Sequence, residues 1–278
     1  MLRWKHWVVV SLVLFVFAAS TGLAQVADLA DMILQAYQSQ KPFPVLSTSH
    51  PEMDVTMAYA IQKAYVGKLL ANDKIVGFKA GLTSAAGQQR FGVNAPVAGV
   101  LLASGKLADG ATVDSSQFVA LMLETEIGYV VGKSISQPIK DVAELKAAIQ
   151  SVLPVIELPD LGFADMQHLK GVDIIAANVA AKQMIVGQER PVAGLDVNAV
   201  ALTLTLNGQE INKGKGTDAM GDQWQAALWL INTMVAQGWT LEPGAVVITG
   251  ALGNMLPGKP GSYVADYGNF GKVTFTIK

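Results

Sequence analysis

Two glutamates lie two residues apart in the apolar segment LMLETEIGYVV, residues 121–131. Successive side chains of a β-strand point to opposite faces, so Glu124 and Glu126 share one face. Such a pair commonly faces solvent, but a strand that is apolar on both sides is typical of a buried strand. Two neighbouring buried anions must take up protons or share a cation. The pair therefore indicates either a solvated strand face or a divalent metal site.

A third carboxylate, Glu157, lies in another apolar segment, LPVIELPD, residues 153–160. Taken alone, it could be an acid that is hydrogen-bonded within the core. Three buried glutamates without a matching histidine cluster indicate hard oxygen ligation, which suits Mg²⁺ or Mn²⁺ with water completing the shell. The chain has no cysteine, which excludes disulfides, thiolate metal ligands and a cysteine nucleophile.

The elements that must position these carboxylates are mostly short strands separated by glycine turns. Strands are predicted near residues 75–79, 97–102, 119–131, 152–158, 199–206, 210–212, 245–249, 263–266 and 273–277. Helices are predicted at residues 26–40, from Asp54 onward, and at 141–151, 173–183 and 222–237. Because strands and helices do not alternate strictly, we expect an α+β fold with a mixed, rolled β-sheet, an N-terminal helical segment and peripheral helices.

The composition and the first residues limit the possible classes of protein. The 278 residues are 51% hydrophobic with a net charge of −2, enough for one core and without the basic patch of a nucleic-acid-binding protein. A basic start, an apolar run at 7–19 and small residues before Gln25 predict a signal peptide over residues 1–24. We expect an exported, periplasmic protein without stable membrane insertion, with one domain at 25–278: a helical part, 25–73, and a β-rich part, 74–278.

The segment VGFKAGLTS, residues 76–84, resembles the G-x-K-x-G-L-T-S motif of 2-oxopent-4-enoate hydratases and 4-oxalocrotonate decarboxylases. These enzymes belong to the fumarylacetoacetate hydrolase-like superfamily. Glu124-Thr125-Glu126 resembles their E-x-E motif, and residues 154–160 resemble their P-x-x-E segment. The stretches AYAIQ at 58–62, TG at 249–250, KPG at 259–261 and DYG at 266–268 are also similar. The resemblance covers nearly all of the chain after the leader, in one order.

This resemblance implies a metal-dependent hydratase or decarboxylase that acts on a small 2-oxo or 2-hydroxydienoic acid, such as 2-hydroxypenta-2,4-dienoate. It implies that Glu124, Glu126 and Glu157 hold Mg²⁺ or Mn²⁺, which chelates the carboxylate and the 2-oxygen of the substrate. It also implies that Lys79 is catalytic, although a surface lysine with a buried stem is the alternative. The other implied substrate contacts are Leu82, Asn178, Thr249 and Gly250. A homo-oligomer is implied as well.

Two segments depart from the family pattern. Val97 stands where the family commonly has an aspartate, and alanines at 177 and 180 replace an aspartate and a serine around Asn178. The metal ligands are thus retained, whereas acidic groups for proton transfer are missing. Two alternatives follow: an exported binding protein that keeps the metal chelate without turnover, and a hydrolase that cleaves C–C bonds of acylpyruvates.

Overall fold

The computed structural model describes residues 5–278 as backbone and residues 22–278 with their side chains. Of the predicted signal peptide, residues 1–4 lie outside the described residues, as do the side chains up to residue 21. Within the described part, no helix combines the length and the apolar character that crossing a membrane requires.

The described residues form six α-helices and two β-sheets. The helices are α1 (Lys5–Gln38), α2 (Val55–Leu69), α3 (Ala85–Phe91), α4 (Val142–Ala148), α5 (Gly171–Ala176) and α6 (Gln223–Ala236). The strands are β1 (Ile75–Gly81), β2 (Val97–Leu102), β3 (Lys106–Ala108), β4 (Thr112–Val113), β5 (Met122–Val131), β6 (Ile149–Leu158), β7 (Gln183–Val186), β8 (Arg190–Pro191), β9 (Ala201–Leu206), β10 (Gln209–Lys215), β11 (Val246–Ile248), β12 (Leu256–Pro257), β13 (Gly261–Asp266) and β14 (Lys272–Ile277).

The larger sheet places the glutamate-bearing strands at its centre. Its strand order is β2-β1-β11-β5-β6-β7-β3, with β12 beside β5 and β8 beside β6. β1 pairs with β11 in parallel, whereas the pairs β11–β5 and β5–β6 are antiparallel. The second sheet has the order β10-β9-β13-β14-β4. The expected α+β class with a mixed, curled sheet is confirmed.

Local sequence signals explain where several elements begin and turn. The Asp54 carboxylate accepts from the backbone N–H of Met57 and caps α2, and Asp222 caps α6 in the same way. The hairpin β9–β10 turns at Asn207 and Gly208, with φ values of 50° and 81°. Both residues thus have the positive φ that a tight hairpin turn requires.

Two predicted helix ends are wrong, and one helix was not predicted. The helix expected at 141–151 ends at Ala148, because Ile149 already pairs with Val131 of β5. The helix expected at 173–183 stops at Ala176, and a left-handed turn and β7 follow it. Helix α3 was not predicted from the sequence, although the Ser84 hydroxyl caps it and Gly92 ends it at φ 67°.

Candidate metal centre

Strands β5 and β6 bring the three predicted glutamates together. Glu124 is directly opposite Glu157 in the antiparallel register, and Glu126 is opposite Val155. Paired residues of neighbouring strands point to the same face, so all three carboxylates converge. One carboxylate oxygen from each lies within 4.8 Å of the other two. Within the part of the chain whose side chains are described, these three glutamates form a group that could hold a metal ion.

The carboxylates are buried and lack sufficient hydrogen-bond donors. Glu126 and Glu157 are fully buried, and Glu124 is partly exposed. Glu126 Oε2 accepts a hydrogen bond from the Gly250 backbone N–H at 2.6 Å. Within the described part of the chain, Glu126 Oε1 and Glu157 Oε2 have no hydrogen-bond partner. Buried, unpartnered carboxylate oxygens are strongly unfavourable unless a proton or a cation compensates them.

Burial and mutual repulsion also change the acidity of these groups. Burial, followed by the charge of Glu157, raises the pKa of Glu124 from 4.5 to about 8. Burial and the charges of Glu157 and Glu124 raise the pKa of Glu126 well above its ordinary value. Three hard oxygen donors in this state fit a small divalent cation, because such a cation removes both the repulsion and the need for protons. The interpretation as a solvated strand face is therefore wrong.

Lys79 completes the cluster from β1. Its side chain is 3% exposed, so the alternative of a surface lysine is wrong. Its ammonium group forms an ion pair with Glu157 and donates to the Val179 carbonyl oxygen at 3.0 Å. Burial by itself would lower the pKa of Lys79, but the carboxylates of Glu157 and Glu124 outweigh burial and raise it. The charged ammonium group of Lys79 therefore lies beside the three carboxylates.

Gly250 and Thr249 lie beside the cluster at the end of β11. Gly250 has φ 109°, and a Cβ at this position would lie 2.6 Å from side-chain atoms of Thr83. Only glycine therefore allows the backbone N–H to reach Glu126. The Thr249 hydroxyl donates to Gln223 Oε1 at 2.6 Å, and Gln223 is fully buried at the start of α6. Gln223 was not identified from the sequence, where it reads as one more polar residue after a helix cap.

The other two predicted substrate contacts have different surroundings. Leu82 directly follows β1, is partly exposed and has φ 51°. Asn178 is buried, and its side-chain amide is hydrogen-bonded on both sides to the backbone of Val100. Their roles as substrate contacts stay predictions. The structure thus gathers the three glutamates, Lys79 and Gly250 into one site, and it places Asn178 behind that site.

The positions that depart from the family pattern are apolar and buried. Val97, Ala177 and Ala180 are each 2% exposed. Val97 pairs with Gly81, while Gly99 pairs with Lys79. Because alternate residues of a strand share a face, Val97 lies on the same face of the sheet as Lys79. This wall of the site therefore offers no proton donor at that position.

Comparison with known proteins identifies the family of the chain. Residues 75–278 match the fumarylacetoacetate (FAA) hydrolase C-terminal family. The 2-keto-4-pentenoate hydratase of Paraburkholderia phymatum is 34% identical over 253 residues, 90% of this chain and 96% of that protein. The hydratase of the same name from Paraburkholderia xenovorans is 33% identical over 237 residues, 84% of this chain and 87% of that protein.

A solved structure shows the same architecture. 4-Oxalocrotonate decarboxylase from Pseudomonas putida G7, complexed with magnesium and adipate, matches with a TM-score of 0.86 and 26% identity. The match covers 92% of this chain and 98% of that one. The protein therefore belongs to the fumarylacetoacetate hydrolase family. Within it, the chain is similar along almost its whole described length to hydratases and decarboxylases of small oxo acids.

Proposed function

We propose that the protein is a metal-dependent hydro-lyase that adds water to a small 2-hydroxydienoic acid such as 2-hydroxypenta-2,4-dienoate. The alternative reaction is decarboxylation of a related 2-oxo acid. The observation that carries the proposal is the buried convergence of three carboxylates and one lysine within the central sheet. The relatives named hydratase, at up to 34% identity over nearly the full chain, support the reaction class.

The three glutamates are the groups that would hold the cation, and Mg²⁺ or Mn²⁺ suits their oxygen donors. When bound, the ion supplies Lewis-acid charge to the carboxylate and 2-oxygen of the substrate. The Gly250 N–H keeps one oxygen of Glu126 in place, which orients the other oxygen. Glu126 Oε1 and Glu157 Oε2, which have no hydrogen-bond partner among residues 22–278, would then offer their lone pairs to the cation.

Lys79 is the group of this chain that handles charge and protons at the substrate. An ammonium group has three N–H donors, and its contacts here are Glu157 and the Val179 carbonyl. We propose that its remaining N–H stabilises the negative charge that develops on the substrate oxygen. Because its pKa is raised, Lys79 acts mainly as a cationic donor, and water takes part in the proton transfer.

The direct test is turnover by purified protein with Mg²⁺ or Mn²⁺ and a panel of 2-oxo and 2-hydroxydienoic acids. We expect metal-dependent loss of the dienol absorbance of 2-hydroxypenta-2,4-dienoate, and no loss after EDTA treatment. The panel includes an acylpyruvate, so C–C hydrolysis is measured beside hydration. Activity that persists without metal would refute the proposed mechanism.

A second function, keto-acid binding without turnover, is favoured by the apolar residues at 97, 177 and 180. A binder of this kind would retain oxalate or pyruvate in a metal-dependent way, as calorimetry can measure, while every substrate of the panel stayed unchanged. Failure of the wild-type protein to bind either ligand in the presence of metal would refute both functions.

We also propose that residues 1–24 are removed and that the mature protein, a homo-oligomer, acts in the periplasm. The sequence of the leader supports cleavage and export, and the family resemblance supports the homo-oligomer. In addition, Leu23 is 73% exposed, whereas Gln25 Nε2 contacts His50 Nδ1 at 3.2 Å and donates to Glu52 Oε1 at 3.1 Å. A mature chain that begins at Gln25 would keep these contacts. Cell fractionation tests the location, and light scattering of the purified protein tests the oligomer.

A further inference from the structure

Three consecutive residues behind the metal centre have left-handed backbone conformations. Asn178, Val179 and Ala180 have φ values of 54°, 52° and 54°. Residues with side chains rarely adopt this region, and β-branched residues such as valine avoid it most strongly. Strained conformations of this kind persist only where the surroundings impose them, and they concentrate at functional sites. We therefore expect specific contacts to hold this left-handed turn, residues 178–180, and we expect the turn to serve the nearby site.

The Asn178 side chain holds the turn against β2. Its Oδ1 accepts from the Val100 N–H at 2.7 Å, and its Nδ2 donates to the Val100 carbonyl at 2.8 Å. Both hydrogen bonds are buried, so losing either one would leave a polar backbone group without a partner. The amide therefore ties the turn to the strand that pairs with β1, the strand of Lys79.

The turn delivers one group to the site, the carbonyl of Val179. That carbonyl accepts from Lys79 Nζ at 3.0 Å, and the other contact of the ammonium is Glu157. A cation held by the other oxygen of Glu157 would share the charge of that carboxylate and weaken its hold on Lys79, whereas the Val179 carbonyl would remain fully available to the ammonium. Val179 O is therefore the anchor that does not depend on the metal ligands.

Two glycines make room for this approach. A Cβ at Gly81 would lie 2.6 Å from Val179 Cγ1, and a Cβ at Gly99 would lie 2.8 Å from the Asn178 carbonyl oxygen. Gly99 is directly opposite Lys79 in the register of β1 and β2. The absence of side chains at 81 and 99 thus allows the turn to pack over the two strands beside Lys79.

We propose that Asn178 is a positioning residue: by bridging to Val100 it holds the left-handed turn, so that the Val179 carbonyl fixes the Lys79 ammonium beside the metal centre. Asn178 thus acts through Lys79 and need not touch the substrate itself. The activity arm of the test rests on the proposed function, whereas the spectroscopic arm does not.

The activity test compares Asn178→Ala with a matched control, Asn212→Ala. Asn212 makes the same kind of two-sided amide bridge, to the N–H and carbonyl of Asn254, without contact to Lys79. We expect Asn178→Ala to lower kcat by about 10²-fold, the usual effect of a misplaced catalytic group, with the KM and the Mg²⁺ affinity nearly unchanged. We expect Asn212→Ala to keep its kcat. A fall in the melting temperature of both variants with unchanged kcat would overturn the proposal.

The spectroscopic test observes the Lys79 ammonium directly in protein labelled with ¹⁵N-lysine. A buried, hydrogen-bonded ammonium exchanges its protons slowly, and its signal is assigned by its absence in Lys79→Met. We expect the signal to shift or disappear in Asn178→Ala and to stay in place in Asn212→Ala. An identical Lys79 signal in wild type and Asn178→Ala would overturn the proposal, even if the protein proved to have no hydratase activity.

A compensating pair of substitutions provides a check that does not alter Asn178. Gly81→Ala should push the turn away through Val179 Cγ1 and reproduce the loss of the Lys79 signal. Val179→Ala removes that methyl group and keeps the carbonyl, so the double variant should recover the signal. Gly81→Ala with an unchanged signal, or a double variant without recovery, would count against the proposal.

Discussion

The raised pKa of Glu124 predicts that removing its charge has opposite effects on thermal stability without and with metal. Glu124→Gln should stabilise the metal-free protein and should weaken the stabilisation that metal provides. The pKa of Glu124 is raised from 4.5 to about 8 by burial and by Glu157. A group whose pKa is raised by folding stabilises the protein below its unfolded pKa, and this stabilisation is lost as the pH rises through the folded pKa. Metal-free protein should therefore lose stability between about pH 4.5 and pH 8 through this group.

The two pKa values set the magnitude. A carboxyl group with these values lowers the free energy of unfolding at pH 8 by up to about 4 kcal/mol relative to low pH. Because Glu124 is partly exposed, solvent screens part of this effect, and we expect about 2 kcal/mol. For a domain near this size, that corresponds to about 4–8 °C in melting temperature.

The perturbation is Glu124→Gln, which keeps the shape and removes the charge. In EDTA at pH 8, we expect the variant to melt about 4–8 °C above wild type, and at pH 5 we expect the two to be close. Saturating Mg²⁺ should reverse the order, because ligand at 100 times Kd stabilises wild type by about 2.7 kcal/mol. Glu210→Gln, an exposed glutamate that pairs with Lys213 in the hairpin, is the control and should show neither effect.

Thermal melts at pH 5 and pH 8, with EDTA and with Mg²⁺, measure all of these differences. If Glu124→Gln melts below wild type in EDTA at pH 8, the carboxylates are satisfied within the protein and our account of the site is wrong. If Mg²⁺ stabilises the variant as much as wild type, Glu124 is not a ligand.

Three further predictions concern the metal centre, and a fourth concerns the leader. Glu126→Ala should abolish stoichiometric retention of a divalent metal after dialysis, whereas Glu210→Ala should keep it; equal retention would remove Glu126 from the ligand set. Lys79→Met should retain metal but lose turnover by about 10²-fold or more, the scale of losing one donor to a developing negative charge; turnover near the wild-type rate would show that Lys79 is not catalytic. Val97→Asp, on the face of Lys79, should raise the hydration rate by about 10²-fold with little change in binding, and an unchanged rate would place the missing acid elsewhere. N-terminal sequencing of periplasmic protein should begin at Gln25; recovery of intact residues 1–24 in a membrane fraction would contradict cleavage.

Sequence patterns predicted the elements that depend on neighbouring residues. They failed where a residue distant in the sequence determines the conformation. The Asp54 and Asp222 caps and the Asn207-Gly208 turn depend on neighbours within a few residues, so the sequence predicts them. The helix expected through residue 183 has apolar residues at suitable spacing, but Asn178 binds Val100, 78 residues away, and the chain turns left-handed there. No local signal reports such a partner.

The amino-acid sequence by itself predicted the candidate metal ligands. Glutamates inside apolar strands identified Glu124, Glu126 and Glu157, because burial of three charges requires compensation wherever the strands lie. Only the tertiary structure decided that Glu124 and Glu157 face each other across a strand pair, that Lys79 is an ion-pair partner, and that Asn178 lies behind the site. Strand register and long-range hydrogen bonds depend on how distant segments pack together, and the one-dimensional pattern of residues does not contain that information.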